Sequence, residues 1–258
     1  MLQFDAATTR ILDIAYEGAD ISRRRRASFD AVDPAPGEAI LDIGSGNGLL
    51  TAELARAVGP TGRIVGIDPS ADMRASALER CTGMEQVTLL DGAVEALPFE
   101  DASFDKAVAM QVFEYLPDLE TSCAEAMRVL KPGGRLVIAD LHFDLFTWHS
   151  DVPDRMRRMI ASWAQHCEWQ DVPARLRRIL AARGHVIEDM RPVTLVDHLL
   201  RPDGIAVMMM HLMRAYATGQ GHVSQTEADE WFAEQEALAA ERCFFFSITQ
   251  IVLTARKV

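Results

Sequence analysis

The sequence lacks several features that would point to other functions. No stretch of its 258 residues approaches the roughly 20 uninterrupted apolar residues of a membrane-crossing helix, so no membrane partner is expected. The start, Met1-Leu-Gln-Phe-Asp-Ala-Ala-Thr-Thr-Arg10, is without the basic-then-apolar plan of an export signal. Cysteines are few, and none of Cys81, Cys123, Cys167 and Cys243 stands in C-x-x-C spacing. They read as reduced, mostly buried thiols of a cytoplasmic protein. Positive charge is scarce: 26 Lys+Arg against 38 Asp+Glu leave a net charge of −12. That balance argues against nucleic acid, whose affinity rests on phosphate contacts. Arginines cluster only at Arg23–Arg26 and at Arg155, Arg157, Arg158, Arg175, Arg177 and Arg178. Solvated helix faces are the first reading of such runs, a grip on a substrate carboxylate or phosphate the second. There is no internal repeat and no low-complexity segment.

Two phosphate-binding signatures are also missing. The apolar run Ile40-Leu-Asp-Ile-Gly-Ser-Gly-Asn-Gly-Leu-Leu50 breaks into Gly44, Gly46 and Gly48, but position 49 is Leu. The third glycine of a dinucleotide G-x-G-x-x-G is therefore absent, which counts against a nicotinamide oxidoreductase, and no G-x-x-x-x-G-K-[ST] occurs. What is present is a buried strand whose glycine turn lets backbone approach a ligand closely. Twenty residues past Gly48, Ile64-Val-Gly-Ile67 ends on Asp68, an acid placed to accept both hydroxyls of a ribose. Asp42 would repel a pyrophosphate but suits an ammonium. A ligand with a ribose, a cationic amine and no phosphate fits this set: S-adenosyl-L-methionine. Gly44, Ser45 and Gly46 would provide the close backbone, Asp42 the amine contact and Asp68 the ribose contact. Pro69 and Met73 are candidates for the adenine wall.

Periodicity predicts a helical region over 5–31, with Ile11, Leu12, Ile14, Ala15 and Ile21 on apolar faces and a break near Gly18. Strands follow at 39–43, 63–67, 87–90, 105–110 and 134–141. Helices are predicted at 48–58, 71–80 with Ser70 as N-cap, and 118–130, the last stopped by Lys131-Pro-Gly-Gly134. Strands alternating with helices imply a parallel sheet with right-handed crossovers. Later stretches read as helical at 153–166, 172–183, 203–217 and 225–240, and as extended at 185–197 and 244–255.

From 35 to 141 the chain resembles class I S-adenosylmethionine-dependent methyltransferases, in the branch that includes the ubiquinone/menaquinone C-methyltransferases. The matching pieces are Leu41–Gly48, Val65–Ser70, Asp91–Phe99, Ser103–Val108, Gln111–Asp118 and Arg128–Leu136. The resemblance implies an α/β, Rossmann-like, seven-stranded sheet with its last strand antiparallel. Strands 6 and 7, usually joined by a short turn, are here separated by about 45 residues, too long for an ordinary connection. A helical lid inserted there is expected. The division is an N-terminal helical cap (1–36), a cofactor-binding core (37–141) and a substrate lid (142–170 and 198–242) within one domain. The family often has an acid after strand 3 that accepts from the adenine amino group. That position is Ala93 here, so backbone at Ala93 and Val94 is expected to take its place. Gln111 is placed near the methionine portion.

The acceptor side is less legible. Tyr115 follows strand 4, where the family often places substrate-facing groups; a packed aromatic is the plain alternative. Asp140-Leu-His-Phe-Asp144 alternates as a strand does, which would put Asp140, His142 and Asp144 on one side. His142 or His149 is a candidate general base, against an ordinary hydrogen-bonded histidine. No metal is expected, because hard cations prefer more oxygens than this run supplies. Met208-Met-Met210, Met213, Trp163, Trp169, Trp231 and Phe244-Phe-Phe246 supply soft and aromatic surface, either core or the wall of a pocket for an apolar or aromatic small molecule. Methyl transfer to oxygen or carbon of such a molecule is the expected reaction. Transfer to nitrogen, or a non-catalytic protein that binds the cofactor, stays open.

Overall fold

The computed structural model describes residues 14–258, and the helical expectation for 5–13, with Ile11 and Leu12, lies outside the described residues. The described chain forms two compact units. A sheet unit comprises Arg25–Leu141, Asp171–Val193 and Gln250–Val258. A helical unit comprises His142–Gln170 and Thr194–Thr249, together with the described residues up to Arg24.

The strands are β1 (Ala39–Ile43), β2 (Arg63–Ile67), β3 (Val87–Leu90), β4 (Phe104–Met110), β5 (Leu130–Leu141), β6 (Thr147–Trp148), β7 (Val186–Asp197) and β8 (Phe246–Arg256). They run in the order β3-β2-β1-β4-β5-β8-β6, with β7 paired to β8. Neighbours from β3 through β5 are parallel, and β8 is antiparallel to β5. The fold is thus the expected mixed α/β sheet with an antiparallel strand, but with eight strands among the described residues instead of seven. The extra one, β6, has only two residues, too short to leave a periodic signal. A second difference lies in β5, which starts at Leu130 and not at 134. Its pairing with β4 jumps from Phe104↔Leu130 to Lys106↔Arg135, so Lys131–Gly134 bulge out of the ladder. Gly133 there has φ +77°, and its N–H donates to Lys257 O.

In the sheet unit α2 (Leu49–Val58), α3 (Ala71–Arg80), α4 (Leu119–Arg128) and α6 (Val172–Ala182) accompany the strands; α1 (Ala19–Val32) enters it at Arg25. Helix α2 carries Leu50, Leu54 and Val58 on one face, at helical spacing. That face packs on Ile40, Ile64, Val108 and Val137. Truncating a fully buried residue such as Leu54 to Ala would cost about 2–5 kcal/mol. Helix α4 starts at Asp118, whose carboxylate accepts from the N–H groups of Glu120 and Thr121.

The helical unit holds α5 (Pro153–Trp163), α7 (Ile205–Gly219) and α8 (Gln225–Ala240). Its interior is the methionine and aromatic set: Met156, Met159, Met209, Met210, Met213, Trp148, Trp231, Phe244 and Phe246 are buried. Trp148 meets Trp231 and Phe246 edge-on at 5.4 and 4.8 Å and donates from Nε1 to Gln235 Oε1 at 2.8 Å. Helix α5 has no side-chain cap of its own at Val152. Glu234 on α8 serves instead. Its Oε1 accepts from Ser150 Oγ, Asp151 N and Val152 N, and its Oε2 from Arg155. Burial pushes this carboxyl up, but those bonds together hold it below its ordinary value.

Gly18 supplies the expected break before α1. A Cβ there would lie 2.1 Å from Asp203 O. The arginine runs are not simply solvated faces. Arg24 is fully buried, Arg25 pairs with Glu53 at 2.9 Å, and Arg155 is held between Glu230 and Glu234. Of the cysteines, Cys81 and Cys123 are buried, whereas Cys167 is partly exposed and Cys243 exposed. Among the described residues no helix is long and apolar enough to cross a membrane.

Candidate cofactor site

The carboxyl ends of β1 and β2 are tied together by the glycine turn. Ser45 N–H donates to Ile67 O at 2.9 Å, and Gly46 N–H donates to Asp68 Oδ2 at 2.9 Å. Asp68 Oδ1 accepts from Ser70 N–H at 2.8 Å. Each of its oxygens therefore keeps a lone pair beyond the one in use. Ser70 Oγ in turn caps α3 through Met73 N–H, which sets Pro69 and Met73 beside the acid, both exposed.

The three glycines are required for different reasons. All have positive φ: +66° at Gly44, +52° at Gly46 and +79° at Gly48. At Gly44 a Cβ would meet Val112 Cγ2 at 2.3 Å, so the turn lies hard against the end of β4. At Gly48 it would meet Ala77 Cα and Cβ at 2.9 Å, where α2 crosses α3. At Gly46 nothing lies within 4 Å, and the backbone is open to a ligand. Ser45 Oγ is buried without a hydrogen-bond partner among the described residues. A nucleoside cofactor with an amine fits here: open backbone at Gly46, spare acceptor capacity on Asp68 and an unmatched hydroxyl on Ser45.

Asp42 sits inside β1, 2% exposed, and its Oδ2 accepts from Thr51 Oγ1 at 2.5 Å. Burial pushes its carboxyl up to about 7; the Thr51 bond pulls it down and the Asp68 charge adds to the rise. Thr51 lies in the first turn of α2 and carries no sequence motif.

Gln111 directly follows β4 with φ +55°, a conformation rare outside glycine. Two buried acids brace this end: Asp140 Oδ1 accepts from Val112 N–H at 2.9 Å, and Glu114 Oε2 from Leu141 N–H at 3.3 Å. The sequence placed Asp140 on an alternating strand face and did not single out Glu114; the bracing role of both shows only in their bonds beside β4 and β5. Ala93 and Val94 follow β3, Ala93 exposed and Val94 buried. Asp91, just before them, pairs with Arg74 at 2.9 Å. Tyr115, on the short turn after Gln111, is 46% exposed.

The histidines differ in setting. Both His142 and His149 belong to the helical unit. Strand β5 ends at Leu141 and a tight turn, Phe143–Leu145, follows. The expected alternation of Asp140, His142 and Asp144 on one strand face is therefore not realised. Asp144 comes off that turn and lies 3.9 Å from His142 Nε2. His142 Nδ1 is buried without a hydrogen-bond partner among the described residues. His149 Nε2 lies 3.5 Å from Asp151, with its side chain half exposed.

Parts of the chain are similar to known proteins. Residues 41–138 match the family model described as a methyltransferase domain. The chain is similar to demethylmenaquinone methyltransferase of Desulfitobacterium hafniense, 38% identical over 120 residues that make up 45% of this chain and 47% of the relative. Among solved structures it is similar to YcgJ of Bacillus subtilis, with a TM-score of 0.64, 17% identity, and 91% of this chain and 97% of that chain covered. It is also similar to the [4+2]-cyclase SpnF, with a TM-score of 0.57, 22% identity, and 90% and 80% covered. The chain spans less than half the length of the curated relatives it matches. The structural likenesses establish fold, since fold alone does not fix the reaction.

Proposed function

We propose that the chain, whose residues 41–138 match a methyltransferase domain, transfers a methyl group from S-adenosylmethionine to oxygen or carbon of an apolar or aromatic small molecule. The observation that carries this reading is the turn after β1, with open backbone at Gly46 and a half-used carboxylate at Asp68. In this reading Asp42 faces the cofactor amine and Asp68 the ribose hydroxyls. Ser45, Pro69, Met73, Ala93, Val94 and Gln111 complete the binding surface.

The bound cofactor supplies a methyl group already activated by its sulfonium charge. The residues of the chain then have to align the acceptor and keep water out. Tyr115 is the proposed acceptor-side group of the sheet unit. Segments 142–170 and 198–242 are the proposed substrate lid. Where the acceptor carries a proton, His142 is the favoured base. Asp144 stands on its Nε2 side and its buried Nδ1 has a lone pair to offer when that tautomer is present. His149, half in solvent, ranks second.

A second reading is binding of the cofactor without methyl transfer, since the glycine turn and Asp68 account for binding and not for turnover. Calorimetry with S-adenosylmethionine against NAD tests the cofactor. Incubating the protein and cofactor with a metabolite extract, and searching by mass spectrometry for species heavier by one CH2, tests transfer. Cofactor binding with no such species and no S-adenosylhomocysteine would favour the second reading.

A further inference from the structure

We propose that Thr51 is a positioning residue for the cofactor amine: it holds the Asp42 carboxyl so that binding of a cationic amine expels a proton from that carboxyl. The inference rests on the cofactor reading above and deepens it. Asp42 is buried on the strand that leads into the glycine turn, and among the described residues its carboxyl has one hydrogen-bond partner, Thr51 Oγ1. The charged and titratable groups around it are unfavourable to a bare anion. Asp68 beyond β2 adds a like charge, and the thiol of Cys81 at the end of α3, pushed up by burial and by Asp42 against the pull of Arg56 and Arg80, brings no positive charge to it. The strand partners of Asp42 in register, Gly66 and Val108, carry no charge. No cation of the described chain neutralises it, so the ligand-free protein keeps this carboxyl protonated into the neutral range.

An ammonium reverses the balance. Binding a ligand amine requires the anionic form, so the proton leaves to solvent as the amine arrives. Thr51 sets how readily this happens, because its hydroxyl donates to the anion and lowers the cost of ionising it. Below the ionisation range, affinity should therefore rise by about tenfold per pH unit, then flatten.

The test is isothermal titration calorimetry of the full chain with S-adenosylhomocysteine, which keeps the amine and ribose. Runs in MES and in imidazole buffers give the number of protons released. The expected result is close to one proton per ligand at about pH 5.5, falling to a minority at about pH 7.5. Thr51→Val should move the affinity break to higher pH. Its binding should be weakened several-fold at the acid end and increasingly restored as pH rises, and Thr51→Ser should recover the wild-type profile. Asp42→Asn should abolish the proton release. Wild-type binding without proton release, or a Thr51→Val loss equal at every pH, would overturn the proposal. Failure of the ligand to bind wild type at any pH in this range would instead count against the cofactor reading itself.

Discussion

The sheet unit and the helical unit secure their polar groups by different means. In the sheet unit, acids at strand ends are satisfied mainly by backbone: Asp68 by Gly46 and Ser70, Asp140 by Val112, Glu114 by Leu141. In the helical unit, backbone donors also reach acids such as Glu234, but side chains from distant segments satisfy one another as well: Trp148 with Gln235, Arg155 with Glu230 and Glu234, Arg201 with Asp20. At Gly46 the backbone donor stands at a left-handed φ, which favours glycine and so leaves a trace in the sequence. Side-chain satisfaction between distant segments leaves none. In the proposed function, a cofactor common to many proteins is held in the first manner and an acceptor peculiar to one protein in the second.

The sharpest way to break this contrast is at Glu234. Glu234→Ala leaves Arg155 half paired and strips three donors at the start of α5. Thermal or chemical unfolding should show a loss of about 3 kcal/mol, the scale for breaking a buried pair. If the helical unit is secured by packing alone, the loss will be negligible.

Next comes the glycine turn. Gly44→Ala combines a left-handed φ with a Cβ driven into Val112, and should cost more than about 1–2 kcal/mol of stability together with cofactor binding. Gly46→Ala meets no atom, so only the conformational cost of about 1–2 kcal/mol remains. Equal unfolding losses for the two would refute the assignment of Gly44 to close packing.

Asp68→Asn keeps one acceptor oxygen and loses the charge. Affinity for S-adenosylhomocysteine should fall at least tenfold, about 1.4 kcal/mol, with little change in fold by circular dichroism.

A subtler effect concerns pH. The Asp42 carboxyl is raised on folding from 3.8 to about 7, so the folded state holds a proton that the unfolded chain releases. Its contribution to stability is therefore fully present below about pH 4 and lost as pH rises through about 7. The ligand-free Asp42→Asn variant should lack this decline, and its melting temperature relative to wild type should increase between pH 5 and pH 8, each taken as about that value. A constant difference would mean that the carboxyl is not protonated in the folded protein.

The smallest effect separates the units without mutation. Iodoacetamide should label exposed Cys243 first and Cys167 more slowly, both in the helical unit. Cys81 and Cys123, buried in the sheet unit, should stay unlabelled; burial pushes the Cys123 thiol up to about 12, so it offers almost no thiolate. Early labelling of Cys123, followed by peptide mass mapping, would show that the sheet unit opens.

Legibility follows the same division. Strands β1 to β4 were readable to within a residue because each is a short apolar run closed by turn residues. The glycine turn and Asp68 were readable because backbone geometry restricts which residues can stand there. Thr51 and Val112 were not, since a threonine in a first helical turn and a valine after a strand are ordinary until their neighbours are known. The stretch after β5 misled for a local reason. Alternation at 140, 142 and 144 imitates a strand, whereas the chain turns at His142. The methionine and aromatic residues were recognised as soft surface, but composition could not separate core from pocket wall, and those buried against Trp148 and Trp231 are core.

The contact at Gly18 has an evolutionary corollary. The carbonyl of Asp203 comes so near that no side chain fits at position 18. A residue close to the start of the described chain and a loop far along it therefore limit each other's variation. In a saturation library, replacements at 18 should survive only in clones that also alter the stretch around 203, and that pairing would be visible from sequencing alone.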